Sequence, residues 1–281
     1  MKKFNKLVPL AIALVLIVGA LTACASQSSN TKSSIDRIKE YGKVRIGVFS
    51  DKPPFGYVDS NGEVQGYDVY LARRIAKDLL GDESKVEFVF VEAANRVEYL
   101  QSDKVDIILA NFTVTDDRKK LVDFAHPYMK VSLGVVSPKD NVITDVSQLK
   151  GKKLIVNKGT TADIFFTKNY PDIELLKYDQ NTEAFQALLD GRGDALAHDN
   201  TMLFAWVREH EGYTVGITSL GGQDTIAPAV KKGNTELLNW LNEELEKLGK
   251  ENFMHKNFEE TLRPFYGDSI NPDDIVIEPG T

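Results

Sequence analysis

One arginine stands out among the residues whose type and position could bind a ligand. Arg118 follows the threonine-rich segment 113–115, and Thr115 can cap a helix that begins at Asp116. The helix dipole disfavours a cation in the first turn of a helix, so this arginine needs another reason to be there. A planar guanidinium that binds a ligand carboxylate supplies that reason, and a surface ion pair with Asp116 or Asp117 is the alternative.

The sequence shows no pattern of catalytic or metal-binding residues. None of its four histidines lies at metal-ligand spacing from another, and the motifs of zinc proteases, phosphate-binding loops, dinucleotide-binding turns and serine hydrolases are absent. A formal charge of −7 gives no basic surface for nucleic acid. We therefore expect a protein with no catalytic residues, metal or cofactor, and its single cysteine excludes an intrachain disulfide.

The first 24 residues differ from the rest of the chain. Lysines at positions 2, 3 and 6 precede an uncharged stretch, 7–21, whose length suits a signal peptide rather than a membrane span. The following Leu21-Thr22-Ala23-Cys24 resembles the lipobox of bacterial lipoproteins, which implies cleavage before Cys24 and a lipid on its sulfur. A buried cysteine after a signal or anchor helix is the alternative. Cleavage removes the three lysines, so the formal charge becomes −7 − 3 = −10. The polar segment after Cys24 predicts a flexible tether.

Strand-like and helix-like segments alternate from residue 35 onward, which predicts an α/β protein with mostly parallel sheets. The helix predicted over 68–80 has an apolar face and ends at Gly81. The pattern restarts near residue 154 and indicates a second, smaller α/β unit. Two extended segments, 131–138 and 224–231, are predicted to connect the units.

Two connectors mean that the chain returns to its first unit. We assign 36–134 and 227–281 to a large α/β domain 1 and 135–226 to a smaller domain 2, after a signal peptide at 1–23 and a lipidated tether at 24–35. Ligands of α/β sheets bind beyond the carboxyl ends of the strands. The cleft between the two domains is therefore the predicted site.

Several further segments belong to one pattern. They are Lys52-Pro53-Pro54-Phe55, Gly66-Tyr67-Asp68 with the helix to Ala76, Thr113 to Arg118 with Val122-Asp123-Phe124, Gly159-Thr160-Thr161, and His198-Asp199. Together they resemble the family 3 extracellular solute-binding proteins of ABC amino-acid importers. Tyr70 departs from the family signature, which usually has an acid there. The resemblance extends from about residue 35 over nearly all of the chain, and it implies a two-domain, type II periplasmic-binding-protein-like fold.

The resemblance also implies a ligand site. Arg118 would bind the α-carboxylate of an amino acid, and Asp199 would bind its α-ammonium group. Phe55 would form an apolar wall or belong to the core, and Arg96 would contact the ligand or lie in solvent. The implied ligand-binding residues are Phe55, Arg96, Asn111, Thr113, Arg118, Gly159, Thr160, Thr161 and Asp199.

The implied function is a monomeric receptor, lipid-anchored on the extracytoplasmic face of a bacterial membrane, that delivers an amino acid to ABC permease subunits. The segments around Arg96, Thr113, Thr161 and Asp199 resemble the cysteine-binding lipoproteins of this family, so cysteine or cystine is the expected ligand. Glutamate or aspartate is the alternative, since Arg96 could neutralise a second carboxylate. A cyclohexadienyl dehydratase-like enzyme on the same fold is a further alternative, and an additional adhesin role stays open.

Overall fold

The computed structural model describes residues 32–281. The predicted signal peptide, Cys24 and the tether up to residue 31 lie outside the described residues. Helix α1 (Ser34–Tyr41) begins within the last two residues of the predicted tether, 24–35. The Ser34 hydroxyl donates a hydrogen bond of 2.7 Å to Asn234 Oδ1, so tertiary contacts fix the start of this helix.

Helices and strands alternate along the described chain. The other α-helices are α2 (Tyr67–Leu80), α3 (Arg96–Gln101), α4 (Asp116–Lys119), α5 (Thr161–Asn169), α6 (Asn181–Leu189), α7 (Asn200–Glu209), α8 (Thr235–Lys250), α9 (Phe253–Asn257) and α10 (Arg263–Tyr266). The strands are β1 (Val44–Val48), β2 (Asp51–Lys52), β3 (Gly56–Val58), β4 (Val64–Gln65), β5 (Val86–Phe90), β6 (Ile107–Ile108), β7 (Val122–Phe124), β8 (Met129–Pro138), β9 (Lys153–Asn157), β10 (Glu174–Tyr178), β11 (Ala195–Asp199), β12 (Tyr213–Ile226) and β13 (Ala229–Lys231).

The first sheet has the strand order β5-β1-β6-β13-β7. β1 runs parallel to β5 and β6, whereas β13 pairs antiparallel with β6 and β7. The apolar composition of β1 explains its inner position, because Val44, Ile46 and Val48 are fully buried. Helix α2 packs its apolar face into the same core and ends, as predicted, at Gly81 in the left-handed conformation. We call residues 34–128 and 227–281, which carry this sheet, the first lobe.

The second sheet has the order β10-β9-β11-β8-β12. β10, β9 and β11 are parallel, and β8 pairs antiparallel with β11 and β12. Its own core includes Leu154, Val156 and Phe166, all fully buried. We call residues 129–226 the second lobe. The two sheets confirm the predicted α/β fold with two sheet-containing domains, while the predicted domain limits at 134/135 and 226/227 stay a prediction.

Both predicted connectors consist largely of β-strand. Segment 131–138 lies within β8, and segment 224–231 contains the end of β12 and all of β13. Where the chain crosses between the lobes, Met129 pairs with Ile226 and Val131 with Asp224. The crossing is therefore a two-stranded antiparallel ribbon. Within residues 32–281, the helices are too short or too polar to cross a bilayer.

Candidate ligand-binding site

A cavity lies where the carboxyl ends of parallel strands from the two sheets face each other. Its free volume is only about 10 Å³, so the two lobes close tightly around it. Its first-lobe residues follow β1, β5 and β6, and its second-lobe residues follow β9 or end β11. Ligands of α/β sheets bind at this edge of the strands. The lining residues are Phe49, Lys52, Ala93, Arg96, Asn111, Thr113, Arg118, Thr160, Thr161 and Asp199.

Arg118 reaches this cavity from the short helix α4. Thr115 caps the helix as predicted, and its hydroxyl accepts from the Arg118 N–H at 3.2 Å. Asp116 and Asp117 form their ion pairs with neighbouring lysines on the surface. Arg118 is only 6% exposed, so the alternative of a surface arginine paired with these acids is excluded.

The Arg118 guanidinium is held by carbonyl groups from both lobes. It donates to the carbonyl of Thr113 at 2.8 Å and to that of Gly159 at 2.9 Å. It also lies over the ring of Phe112, with Cζ 4.6 Å from the ring centroid. Burial lowers the pKa of Arg118 to about 10, against the opposing attraction of nearby carboxylates. The group is therefore cationic at neutral pH, oriented, and bonded to carbonyls rather than to an anion.

Arg96 is a second buried guanidinium on the same wall. Its exposed fraction is 3%, which excludes the alternative of a solvated helix residue. It donates to the backbone carbonyls of Ala93, Ala110, Asn111 and Gly159 at 2.9–3.4 Å. Burial, and then repulsion from Arg118, move the pKa of Arg96 well below its usual value. A guanidinium nevertheless stays protonated in proteins, so Arg96 adds a second positive charge.

Asn111 presents an amide that lacks hydrogen-bond partners among the described residues. Both its Oδ1 and its Nδ2 are buried and unpaired, and the residue is 1% exposed. A buried amide without partners costs free energy, so its presence at a cavity indicates that a ligand completes its hydrogen bonds.

Asp68 is a buried carboxyl group behind Asn111 in the hydrogen-bond network. The backbone N–H of Asn111 donates to Asp68 Oδ2 at 2.7 Å, and the Tyr128 hydroxyl donates to Asp68 Oδ1 at 2.6 Å. Burial raises the pKa of Asp68 to about 7 despite these two bonds.

The second lobe contributes the start of helix α5. Thr160 is the capping residue of this helix, and the Thr161 hydroxyl lies 3.5 Å from Asp199 Oδ1 on the cavity wall. Gly159 precedes them with φ 72°, and a Cβ at this position would lie 2.6 Å from Ala94 Cα of the first lobe. Glycine is thus required for the lobes to approach this closely.

Asp199, at the end of β11, is the acidic residue on the cavity wall. Its Oδ2 accepts from Lys52 Nζ of the first lobe at 2.9 Å, with the two side chains 6% and 3% exposed. Burial lowers the pKa of Lys52, against the attraction of Asp199. Burial alone would raise the pKa of Asp199. The positive charge of Lys52 outweighs this effect and holds the pKa of Asp199 below its usual value. The pair is therefore ionic and bridges the two lobes.

His198 lies beside Asp199 but has no free nitrogen for acid–base chemistry. The Asp199 N–H donates to Nδ1 at 2.7 Å, and Nε2 lies 3.2 Å from Asn181 Oδ1. These contacts assign the proton to Nε2. Burial lowers the pKa of His198 to about 3, so the ring is neutral at physiological pH.

Most of the predicted site residues meet at this cavity. Seven of them line it, and Gly159 contributes its carbonyl to both arginines. Phe55 does not line it, because its ring is fully buried in the first-lobe core. The aromatic wall is instead Phe49, which sequence reasoning missed together with Lys52. Both follow the buried strand β1, and this position is the signal that could have found them.

Metal ligation is not indicated here. Over residues 32–281, no group of three or more histidine, cysteine, aspartate or glutamate side chains could hold a metal ion.

Most of the chain matches the model of a known family. Residues 44–261 match the model of the bacterial extracellular solute-binding proteins, family 3. The chain belongs to this family, and the resemblance seen in the sequence is confirmed.

Two solved structures and one further relative are similar to this chain. A cysteine-binding protein from Campylobacter jejuni is 62% identical with a TM-score of 0.87, over 88% of this chain and 100% of the other. A solute receptor for L-cysteine of Neisseria gonorrhoeae is 59% identical with a TM-score of 0.86, over 87% and 99%. The ABC transporter glutamine-binding protein GlnH of Bacillus subtilis (strain 168) is 35% identical over 256 residues, which are 87% of this chain and 92% of the relative.

Proposed function

We propose that this chain is the substrate-binding receptor of an ABC-type importer and that its ligand is an amino acid. One observation carries the proposal: a single buried cavity presents a guanidinium bonded only to carbonyls, Arg118, and a carboxylate, Asp199, from opposite lobes. A zwitterion with its carboxylate at Arg118 and its ammonium at Asp199 satisfies both groups. The named relatives, which are amino-acid-binding proteins, support the same class.

Several donors converge on the α-carboxylate in this proposal. The Arg118 guanidinium supplies the charge, and the unpaired Nδ2 of Asn111 supplies a further donor. The Thr161 hydroxyl and the N–H groups at the start of α5 complete the set from the second lobe. The α-ammonium group takes the place of Lys52 Nζ at Asp199.

Cysteine, or its oxidised dimer cystine, is the ligand that we propose. The two solved relatives at 62% and 59% identity are cysteine-binding proteins by name. Ala93 on the cavity wall offers no aromatic platform for a larger side chain. Glutamate or aspartate is the second candidate, because Arg96 and Lys52 place positive charge on the wall.

Side-by-side calorimetry tests the ligand. The titrations compare cysteine under reducing conditions with cystine, glutamate, aspartate and glutamine, and we expect cysteine or cystine to bind tightest. Glutamate or aspartate binding more than tenfold tighter than both, a difference of about 1.4 kcal/mol, would overturn the cysteine assignment and leave the receptor proposal intact. Failure of every amino acid to bind would overturn the receptor proposal itself.

We also propose that the protein binds its ligand without chemical change. A dehydratase would need an acid or base beside the scissile group, and the candidate, His198, has both nitrogens engaged. Incubation with prephenate or arogenate should leave both compounds unchanged. Formation of the aromatic product would show an enzyme on this fold.

Membrane attachment through Cys24 is part of the proposal and rests on the sequence alone. A lipid on Cys24 would hold the receptor at the extracytoplasmic face of the membrane, where a permease can reach it. Replacing Cys24 with Ser should move the protein from the membrane fraction to the soluble fraction. Ser26→Ala in the same tether is the matched control and should leave it in place. An unchanged distribution of the Cys24→Ser protein would contradict the anchor.

Ligand exchange requires the lobes to separate. We propose that they move about the ribbon of β8 and β12, where Met129 pairs with Ile226 and Val131 with Asp224. Small-angle scattering should show a smaller radius of gyration with ligand than without it. Identical radii in both states would exclude a ligand-dependent closure of this size.

A further inference from the structure

The cavity contains more positive charge than an amino acid with a neutral side chain can balance. Its wall carries the cations Lys52, Arg96 and Arg118, and one acidic residue, Asp199. A zwitterionic ligand adds one charge of each sign. An excess of positive charge therefore remains after the α-carboxylate and the α-ammonium group are in place.

Lys52 is the cation most affected by ligand binding. In the proposed function the ligand ammonium takes Asp199, which is the partner of Lys52 in the structure. Lys52 then loses its counter-ion while its side chain is 3% exposed. A buried ammonium without a partner is strongly unfavourable, so Lys52 either gives up its proton or gains another anion in place of Asp199.

The other groups that face Lys52 cannot replace that carboxylate. They are Asp68 on α2, Arg96 on α3 and His198 on β11. Arg96 repels Lys52, and His198 is neutral. Asp68 already accepts from a tyrosine hydroxyl and from a backbone N–H. An anion that keeps Lys52 charged would therefore come from the ligand.

The ring of Phe49 marks where this anion would lie. Lys52 Nζ is 5.3 Å from the centroid of this ring, and Arg96 Cζ is 5.7 Å from the same centroid. Arg118 has no such contact with Phe49 and stacks on Phe112 instead. A ligand side chain that points toward Phe49 thus meets two cations that the α-carboxylate does not use.

We propose that the protein binds cysteine as its thiolate, with the sulfur between Lys52 and Arg96, and that the S–H proton passes to solvent on binding. The inference rests on the proposed cysteine ligand. A free thiol has a pKa of about 8.5 and is only a few per cent ionised at neutral pH, so binding releases about one proton per ligand. Nearby lysine and arginine side chains are known to stabilise thiolates in proteins.

The state of ionisation, rather than size, then separates cysteine from serine. The two ligands have the same shape, but a serine hydroxyl does not ionise near neutral pH. Serine would leave Lys52 without a counter-ion. The structure thus predicts a receptor that rejects serine on charge.

Two measurements on the full chain test this proposal. The Cys24→Ser protein is used, since the ligand then supplies the only thiol. The first measurement is the ultraviolet absorption band of a thiolate, recorded as the difference between the mixture and its separate components at neutral pH. The second is calorimetry with cysteine and with serine in two buffers of different ionisation enthalpy, which counts the protons released.

We expect the thiolate band to appear, and cysteine to release about one proton on binding. Serine has no thiol, so any proton released with serine comes from the protein, including a Lys52 left without its counter-ion. No thiolate band with cysteine fully bound would overturn the inference and leave the cysteine receptor standing. A proton released with cysteine in the absence of the band would then be assigned to the protein. Absence of cysteine binding would instead defeat the proposed function and this inference with it.

A pair of variants locates the counter-ion. Lys52→Met should lower cysteine affinity at least tenfold more than serine affinity, and should raise the pH at which the thiolate band appears. Lys158→Met is the matched control, since it removes a lysine from the exposed Lys158–Asp179 ion pair at 2.7 Å. Equal effects of Lys52→Met on both ligands would show that Lys52 does not face the sulfur. The wild-type spectrum decides the main question if Lys52→Met does not fold.

Discussion

The two faces of the cavity are built in different ways. On the first-lobe face, Arg96 and Arg118 donate to carbonyls of their own lobe and stack on Phe112, and each also donates to Gly159 of the second lobe. On the second-lobe face, the Asp199 carboxylate takes its short hydrogen bond from Lys52, which belongs to the other lobe. The cationic face is therefore held in part within its own lobe, whereas the anionic face depends on what the first lobe presents to it.

This difference suggests an order of recognition. A carboxylate can first meet Arg118 on the first lobe, because Thr113 of the same lobe already holds this guanidinium. An ammonium group is recognised only when it displaces Lys52, which requires both lobes. Closure is thus coupled to the ammonium end of the ligand.

A change of pH should distinguish the two lobes most strongly, because each has a buried titratable group beside the site and the two groups change stability in opposite directions. His198 on the second lobe has a folded pKa of about 3 and an unfolded pKa of about 6.5. The unfolded state binds more protons between these values, so stability falls as pH drops through this window, by up to about 5 kcal/mol. Asp68 on the first lobe has its pKa raised to about 7, so its contribution falls as pH rises from about 4 to 7.

The measurement is the free energy of urea unfolding as a function of pH. His198→Asn, whose Oδ1 can accept from the Asp199 N–H in place of Nδ1, should flatten the acid side of the profile. Asp68→Asn should flatten the side approaching neutral pH. His210→Asn elsewhere in the second lobe is the control. Parallel profiles for all three variants would contradict opposite titration of the two faces.

Removal of Arg118 tests the cationic face. Arg118→Ala leaves the ligand carboxylate in a buried site without its counter-ion, at a cost of roughly 3–5 kcal/mol. Affinity measured by calorimetry should fall at least about a hundredfold. Arg192→Ala is the matched control, because Arg192 is 60% exposed and pairs with Asp190. A loss below tenfold on folded Arg118→Ala protein would show that this face does not carry the affinity.

Asp199→Asn tests the anionic face and should have a smaller effect on binding. A hydrogen bond to a charged group contributes about 1.5–3 kcal/mol, so affinity should fall between about tenfold and a hundredfold. The variant also leaves Lys52 buried without its partner, and its melting temperature should fall. Adding Lys52→Met should restore stability but not binding. Recovery of binding in the double variant would show that Asp199 serves Lys52 rather than the ligand.

Thr161→Val should give the smallest change. Loss of one hydrogen bond to the ligand carboxylate costs about 1.5 kcal/mol, the low end for a charged acceptor, or roughly a tenfold loss of affinity, without a change in fold. Calorimetry with Thr167→Val, on an exposed turn of the same helix, is the control. A loss of affinity as large as that of Arg118→Ala would mean that the binding groups of the second lobe are as well oriented before binding as those of the first.

The sequence was informative where local pattern and chemistry agree. Arg118 could be found because a cation at a helix start is unfavourable without a partner, and Thr115 marked that start. The alternation of strands and helices predicted the two-sheet fold. Asp68 lies in a segment that resembles the family, but the sequence did not show that it is buried. Nor did it show that Asp68 accepts a hydrogen bond from the Asn111 N–H, which lies far away along the chain.

Other parts of the site depend on contacts that no local pattern shows. Lys52 is buried because it meets a carboxylate 147 residues further along the chain. Phe55 and Phe49 are both aromatic residues near the end of β1, and only the packing of the lobe decides that Phe49 faces the cavity. The start of α1 at Ser34 depends in the same way on Asn234.

The near-complete burial of the cavity's charged side chains fixes the timing of capture. Lys52, Arg96 and Asp199 are 2, 3 and 4% exposed, so a ligand reaches them only after the lobes part. Parting breaks the Lys52–Asp199 pair and withdraws Gly159 from Ala94. For free molecules that are closed, the observed rate of binding should therefore rise with ligand concentration and then level off at the rate of opening. Uptake by a closed receptor is set by its own opening and not by diffusion.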